Sequence, residues 1–206
     1  MGQEPNTQNV KQAGVRLAPL VVVSGPSGVG KTTVVDALLE RRTLPLKRAV
    51  TATTRAARPN EIPEVSYHFW KPEEFDRAVR EDKMFEYAKV FGTDWYGTPR
   101  SEVDPHRLAG TGVIMVIDVQ GAARVRELCP DCLSIFIRPP SFDELESRLR
   151  GRGDLTEERI QRRLATAREE LNRAGEFDHE VINDDLNWAV EELERLVLAQ
   201  FTTRGR

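Results

Sequence analysis

Gly25-Pro26-Ser27-Gly28-Val29-Gly30-Lys31-Thr32 is the stretch on which the fold turns, since it satisfies the phosphate-loop pattern G-x-x-x-x-G-K-[ST]. The pattern has chemical content only between a strand and a helix, and both are predicted here. Leu20-Val21-Val22-Val23 is a short continuous apolar run closed by Ser24-Gly25, as a buried parallel strand requires. From Thr32 to Leu39 the apolar residues Val34, Val35, Leu38 and Leu39 share one helical face. In such a loop successive backbone N–H groups converge on phosphate oxygens, and the helix N-terminus adds partial positive charge. Lys31 then reaches the outer phosphates and Thr32 offers a hydroxyl to Mg²⁺. The candidate ATP-binding residues are Gly25, Pro26, Ser27, Gly28, Val29, Gly30, Lys31, Thr32 and Thr33.

Outward from this unit, strand patterns at Arg48–Ala52, Val113–Ile117, Leu133–Ile137 and Glu180–Ile182 alternate with helical ones. A helix from about Leu155 to Ala174 carries Ile160, Leu164, Ala167 and Leu171 on one face, and a last helix runs from Leu186 to about Gln200. Alternating strands and helices imply an α/β fold, a parallel sheet flanked by helices of the P-loop NTPase type. The stretch 51–107 breaks the rhythm with short β-like runs (Ser66–Trp70, Met84–Val90), one brief helix after Pro72, and Pro59, Pro63, Pro99 and Pro105; it reads as an inserted subdomain. Pro139-Pro140 then stops a strand, and Ser141 caps the next helix.

The chain of 206 residues, 39% hydrophobic and 31% charged, is long enough for a sizeable core without disulfides. A formal net charge of −3 makes nucleic acid an unsuited partner by global attraction. No apolar run approaches the roughly 20 residues of a membrane span, and residues 1–18 are polar with no signal-peptide pattern. They read as a disordered leader on a cytoplasmic protein, with no membrane and no obligatory protein partner expected. Cys129-Pro130-Asp131-Cys132 follows a helical stretch rather than opening one, and no paired histidines accompany it, so it reads as a turn in a reducing compartment.

The phosphate acceptor is suggested by Thr51-Ala52-Thr53-Thr54-Arg55-Ala56-Ala57-Arg58-Pro59-Asn60-Glu61. Two guanidinium forks at that spacing can converge on one dianionic phosphate, although spacing alone equally allows a solvated basic loop. Asp118 ends the apolar run Val113–Ile117, which sets it at the carboxyl edge of the sheet, where open α/β sheets bind ligands.

Taken together, these motifs resemble guanylate kinases. The phosphate loop, the Thr-Thr-Arg-x-x-Arg-x-x-Glu segment, Glu86, Tyr96-Gly97-Thr98, Ile117-Asp118-Val119-Gln120-Gly121, Pro139-Pro140-Ser141, Arg150-Gly151-Arg152-Gly153 and Asn183-Asp184-Asp185 occur in that family's order and spacing. The resemblance runs from about Leu20 to the last helix. It implies transfer of phosphate from ATP to GMP, or also dGMP, with Mg²⁺, on a core (19–50, 108–140, 175–206), a GMP-binding subdomain (51–107) and a helical lid (141–174). It puts the acceptor phosphate on Arg55, Arg58, Tyr67 and Tyr96, with Glu61 in the same set, and the guanine on Thr51, Glu86, Thr98 and Asp118. It makes Lys31, Arg58, Arg152 and Arg163 catalytic, Asn183 and Asp184 the adenine contacts, and Thr32 the Mg²⁺ contact, joined by Asp118 through water unless Asp118 serves guanine instead. The other lid arginines would pair with Glu157, Glu158, Glu169 and Glu170 on a solvated face.

Guanine presents its N1–H and N2–H₂ donors side by side, so a carboxylate at Glu86 that accepts both would reject adenine. The chain departs from the family pattern at several points. Glu64-Val65-Ser66 precedes Tyr67 where Gly-x-Asp is usual, Ala57 and Asn60 replace a Pro and a Gly, and Val116 replaces an acidic residue. Two other readings keep part of the pattern: a related P-loop kinase such as a ribose 1,5-bisphosphate phosphokinase, and a non-catalytic guanylate-kinase-like module that binds phosphorylated partners. The first needs no guanine-reading set, and the second needs neither Lys31 nor the lid arginines.

Overall fold

The computed structural model describes residues 16–90, 94–151 and 156–204. In chain order its elements are β1 (Leu20–Ser24), α1 (Lys31–Arg41), β2 (Leu46–Arg48), β3 (Ala52–Thr53), β4 (His68–Phe69), α2 (Pro72–Arg80), β5 (Met84–Val90), β6 (Asp94–Pro99), α3 (Asp104–Leu108), β7 (Gly112–Val116), α4 (Val119–Leu128), β8 (Leu133–Arg138), α5 (Phe142–Arg150), α6 (Glu157–Asn172), β9 (His179–Ile182) and α7 (Leu186–Arg204).

A five-stranded parallel sheet runs in the order β2-β7-β1-β8-β9. The continuous apolar run of β1 follows from its position: Val21 and Val23 pack on one face against Val34, Val35 and Leu38 of α1 and Leu193 and Val197 of α7. Leu20 and Val22 pack on the other, against Met115, Phe136, Ala122 and Val125. A central strand covered on both sides has no solvent face on which alternation could show. Ser141 caps α5 as predicted, its Oγ accepting the Glu144 N–H at 3.1 Å.

A second, mixed sheet lies entirely within residues 52–99, in the order β4-β3-β6-β5. It has its own small core of Ala52, Phe75, Ala78 and Met84, flanked by Trp70 and Trp95. The expected strand Arg48–Ala52 is divided between the two sheets. The chain leaves the first sheet after the Ala49 N–H reaches Ile114 O at 3.0 Å, and the carboxylate of Glu102 takes the Val50 N–H at 3.2 Å. Neither β6 nor α3 stood out in the sequence. Gly97 and Pro99 mask the strand pattern of β6, which is held by its antiparallel pairing with β5.

The altered turn before Tyr67 forms with Glu64 at φ 65, a left-handed conformation where the family pattern has glycine. Ser66 supplies what the turn needs: its Oγ accepts the Ile62 N–H at 3.0 Å and its own N–H donates to Ile62 O at 2.8 Å. Of the leader expected over residues 1–18, residues 1–15 lie outside the described residues. Leu17 is buried, and Ala18 exchanges hydrogen bonds with Arg107, so the packed chain begins before residue 19. Cys129 and Cys132 are free and buried at the turn between α4 and β8, and burial pushes the Cys132 thiol up to about 12, an inert thiol rather than a redox one.

Candidate active site

The phosphate loop is fixed from behind by contacts that admit only glycine. Gly25 has φ 140, and a Cβ there would strike the carbonyl oxygen of Ile137 on β8; at Gly30, φ 96, it would lie 2.6 Å from Asn183 Nδ2. Asn183 Nδ2 donates to Val29 O at 2.8 Å, and Arg148 of α5 donates to Val29 O at 3.4 Å and Asn183 O at 3.2 Å. The Asn183 amide, expected to meet adenine, therefore braces the loop, with Asp184 exposed beside it. Lys31 Nζ folds back over the loop to Gly25 O at 2.6 Å and Pro26 O at 3.0 Å. Thr32 and Thr33 are exposed in the first turn of α1.

The second sheet and its loop contribute, to a cavity shared with the phosphate loop, a cluster of arginine, glutamate and tyrosine side chains held by their own contacts. Arg55 forms a bidentate pair with Glu61, Nη1 to Oε2 at 2.8 Å and Nη2 to Oε1 at 2.9 Å, and its Nε donates to the Tyr96 hydroxyl at 3.0 Å. The same Glu61 accepts the Arg58 N–H at 2.8 Å. The Arg55 guanidinium lies over the Tyr67 ring, 5.3 Å from its centroid, and the Tyr67 and Tyr96 rings meet edge to face at 6.0 Å. Burial works against the charge of Arg55, but Glu61 and the Tyr96 hydroxyl outweigh it and hold the guanidinium protonated. Burial likewise opposes the charge of Glu61, and Arg55 and the Arg58 N–H outweigh it, keeping this carboxyl below its usual range.

Glu86 on β5 lines the same cavity. It is 4% exposed, and its Oε1 accepts from Thr98 Oγ1 at 2.7 Å. Burial pushes its carboxyl up to about 7, with the nearby charge of Asp118 adding to the rise and Thr98 opposing it. Asp118 caps α4, its Oδ1 accepting the Gln120 N–H at 2.7 Å and the Gly121 N–H at 3.0 Å. Thr51 is buried and lines the same cavity. The glycine at position 121 leaves room for Glu86, since a Cβ would come within 2.8 Å of Oε2.

One cavity of about 480 Å³ joins these parts. Among the predicted residues Ser27, Gly28, Gly30, Lys31, Thr32, Thr33, Thr51, Arg55, Arg58, Glu61, Tyr67, Glu86, Tyr96, Asp118 and Arg163 line it. Gly25, Pro26 and Val29 form the back of the loop, Thr98 stands behind Glu86, and Asn183 and Asp184 lie outside the cavity lining. Arg152 lies outside the described residues.

The family model for guanylate kinase matches residues 18–200. The chain belongs to the guanylate kinase family. It is 49% identical to the guanylate kinase of Synechococcus sp. strain CC9902 over 85% of this chain and 92% of that one. To the guanylate kinase of Neisseria meningitidis serogroup A it is 45% identical, over 93% of this chain and 92% of the relative. The crystal structure of guanylate kinase from Anaplasma phagocytophilum superposes with a TM-score of 0.76 at 32% identity, covering 90% of this chain and 87% of that one.

Three charged side chains of this guanylate kinase family member line the cavity without having been expected there: Asp36, Arg48 and Glu170. Arg48 links Asp36 of α1, at 2.7 Å, to the Val65 carbonyl of the second sheet's loop, at 2.8 Å. Glu170 corrects an expectation. Glu157 and Glu158 do pair with arginines on the surface of α6, but Glu170 is buried, 8% exposed, with the Ser27 N–H and Lys31 acting on its carboxylate. Ile160, Leu164, Ala167 and Glu170 follow one another at helical spacing on the buried face of α6; the apolar stripe read from the sequence ended instead on Leu171, which is only half-buried, because a carboxylate does not register in an apolar pattern.

Proposed function

We propose that the protein is an ATP-dependent guanylate kinase that converts ATP and GMP to ADP and GDP. The observation that carries the reading is a single cavity in which a phosphate loop, an arginine pair and a buried carboxylate face one another. A GMP phosphate oxygen attacks the γ-phosphorus in line, the bond to the β-phosphate oxygen breaks, and ADP leaves, with no covalent enzyme intermediate. Arg55 and Arg58 hold the acceptor phosphate with Tyr67 and Tyr96, while Glu61 keeps both arginines in place before GMP arrives. Binding to a preordered fork loses less freedom than binding to two loose side chains. Ionised Glu86, oriented by Thr98, accepts the N1–H and N2–H of guanine, and Thr51 and Asp118 complete the base contacts.

At the donor end the loop N–H groups and Lys31 hold the ATP phosphates, and Arg163 and Arg152 of the lid meet the transferring group. The Thr32 hydroxyl, exposed at the head of α1, fits Mg²⁺, and Asp118, which lines the same cavity with Oδ1 engaged as a cap, is assigned to the base rather than to the metal. When bound, Mg²⁺ supplies charge neutralisation at the phosphates. Asp184 remains for adenine, and dGMP fits the same base-reading set. No helix among the described residues is long and apolar enough to cross a membrane, and two buried free thiols suit a reducing compartment such as the cytoplasm. The test is ADP release with ATP and Mg²⁺ against GMP, AMP, CMP, UMP and ribose 1,5-bisphosphate. Turnover on GMP is expected; turnover on the sugar phosphate alone would refute the guanine assignment, and silence with all five would refute the kinase.

A further inference from the structure

Glu170 is a buried carboxylate facing the donor end of the cavity, a costly thing to keep. It sits on α6, where the neighbouring buried positions are Ile160, Leu164 and Ala167, so packing alone would be served by an apolar side chain. Its Oε2 is buried with no hydrogen-bond partner. The charges and donors that face it come from three directions: the Ser27 N–H and Lys31 of the phosphate loop and α1, Asp118 ahead of α4, and Arg173 just past its own helix. The Ser27 N–H and the Lys31 ammonium are the donors a phosphate loop offers to a nucleotide's phosphates.

We propose that Glu170 is a positioning residue: its carboxylate holds the donor face of the phosphate loop until the phosphates of ATP displace it, and α6 carries that displacement to Arg163. The inference rests on the kinase reading above. A polyphosphate and a carboxylate cannot share one small set of donors without mutual repulsion, so entry of the phosphates drives Glu170 off Ser27. Arg163 is seven residues earlier, two turns along the same 16-residue helix, and it also lines the cavity. A helix moves as a rigid body, so the displacement that frees the loop also shifts Arg163. Filling of the donor site and delivery of the lid arginine thereby become one event, and the phosphoryl group is held before the lid charge arrives.

The experiment uses Glu170→Gln, which keeps the shape and one acceptor oxygen but not the charge, with ADP and inorganic pyrophosphate as probes in calorimetric titrations without Mg²⁺, followed by steady-state kinetics. Affinity for both probes should rise about tenfold, KM for ATP should fall, and kcat should fall with it because Arg163 is no longer driven. Adding Glu170→Gln to Arg163→Met should lower kcat no further than Arg163→Met alone. Unchanged or weaker Mg²⁺-free binding, including a loss seen only when Mg²⁺ is present, would overturn the proposal. Should the variant fold poorly, the wild-type protein answers the same question: pyrophosphate must alter hydrogen exchange across residues 157–172, and an unaltered pattern overturns the inference. A wild-type protein that binds ADP but phosphorylates no GMP would instead count against the kinase reading.

Discussion

Replacing Glu86 by Gln separates the role proposed for it toward guanine from what it costs the fold. Burial raises its carboxyl from the usual 4.5 to about 7. The folded state therefore binds this proton more tightly than the unfolded chain does, and stability falls as pH rises from 4.5 through 7. Above that range the ionised, buried group costs about 3 kcal/mol. Glu86→Gln removes the cost while keeping an acceptor for the Thr98 hydroxyl, so it should raise the melting temperature at pH 8 and leave it nearly unchanged at pH 4.5. GMP binding should respond in the opposite sense. Only the ionised carboxylate accepts both guanine donors, so kcat/KM for GMP in the wild-type protein should rise about tenfold per pH unit below 7 and flatten above it. The variant should lose that step, along with about 3 kcal/mol of charge-assisted hydrogen bonding, roughly a hundredfold in kcat/KM. Differential scanning fluorimetry at the two pH values and a coupled assay with GMP and AMP read both effects. Equal melting shifts at pH 4.5 and 8, or unchanged discrimination between GMP and AMP, would refute the reasoning.

Glu61→Gln should unhook Arg55 from its bidentate partner and raise KM for GMP about tenfold with a smaller effect on kcat, which substrate titration checks. Gly25→Ala should destabilise by about 3 kcal/mol or more through its clash with Ile137 and its φ of 140, whereas Gly175→Ala, with open space around it, should melt like the wild type. At the joint between the sheets, His68 first and then Lys47 hold Glu102 down to about 2 against burial, and Glu102 chiefly raises His68. The Glu102 contribution is present above 4.5 and lost as pH falls through about 2; the His68 contribution is present below 6.5 and lost as pH rises through its raised value. Glu102→Gln should therefore cost about 1 kcal/mol, most clearly between pH 4.5 and 6.5, as read by denaturant titration across that range.

What the sequence made legible was whatever local chemistry dictates. The phosphate loop, the two-sided burial of Leu20–Val23, the Ser141 cap and the parallel strand order's raw material all follow from short-range pattern. What it hid was set by distant partners. The division of Arg48–Ala52 between two sheets depends on Glu102, more than 50 residues away, taking the Val50 N–H. Asn183 braces Val29 rather than standing free because the two meet only once β9 joins the sheet. Glu170 looked like one more surface charge on an Arg- and Glu-rich helix, and only the packing of α6 against the core gives it a buried position.

The departures from the family pattern near Tyr67 acquire a physical account from the same distant contacts. Glu64 occupies a left-handed position that glycine would fill at lower cost, yet its carboxylate reaches His68 Nδ1 at 2.6 Å. His68 Nε2 lies 3.3 Å from Glu102, and Glu102 accepts from Lys47 of β2 at 2.9 Å. The strained turn is thereby tied through alternating charges to the core sheet. Arg48 adds a second tie, from α1 across to the Val65 carbonyl of that same turn. A glycine at 64 would relax the backbone and release the first of these links, so the strain at this position is offset by a contact that steadies the joint between the second sheet and the core. Residues of both bodies line the cavity, so the placement of Arg55, Arg58 and Tyr67 relative to the phosphate loop depends on that joint as well as on their own local contacts.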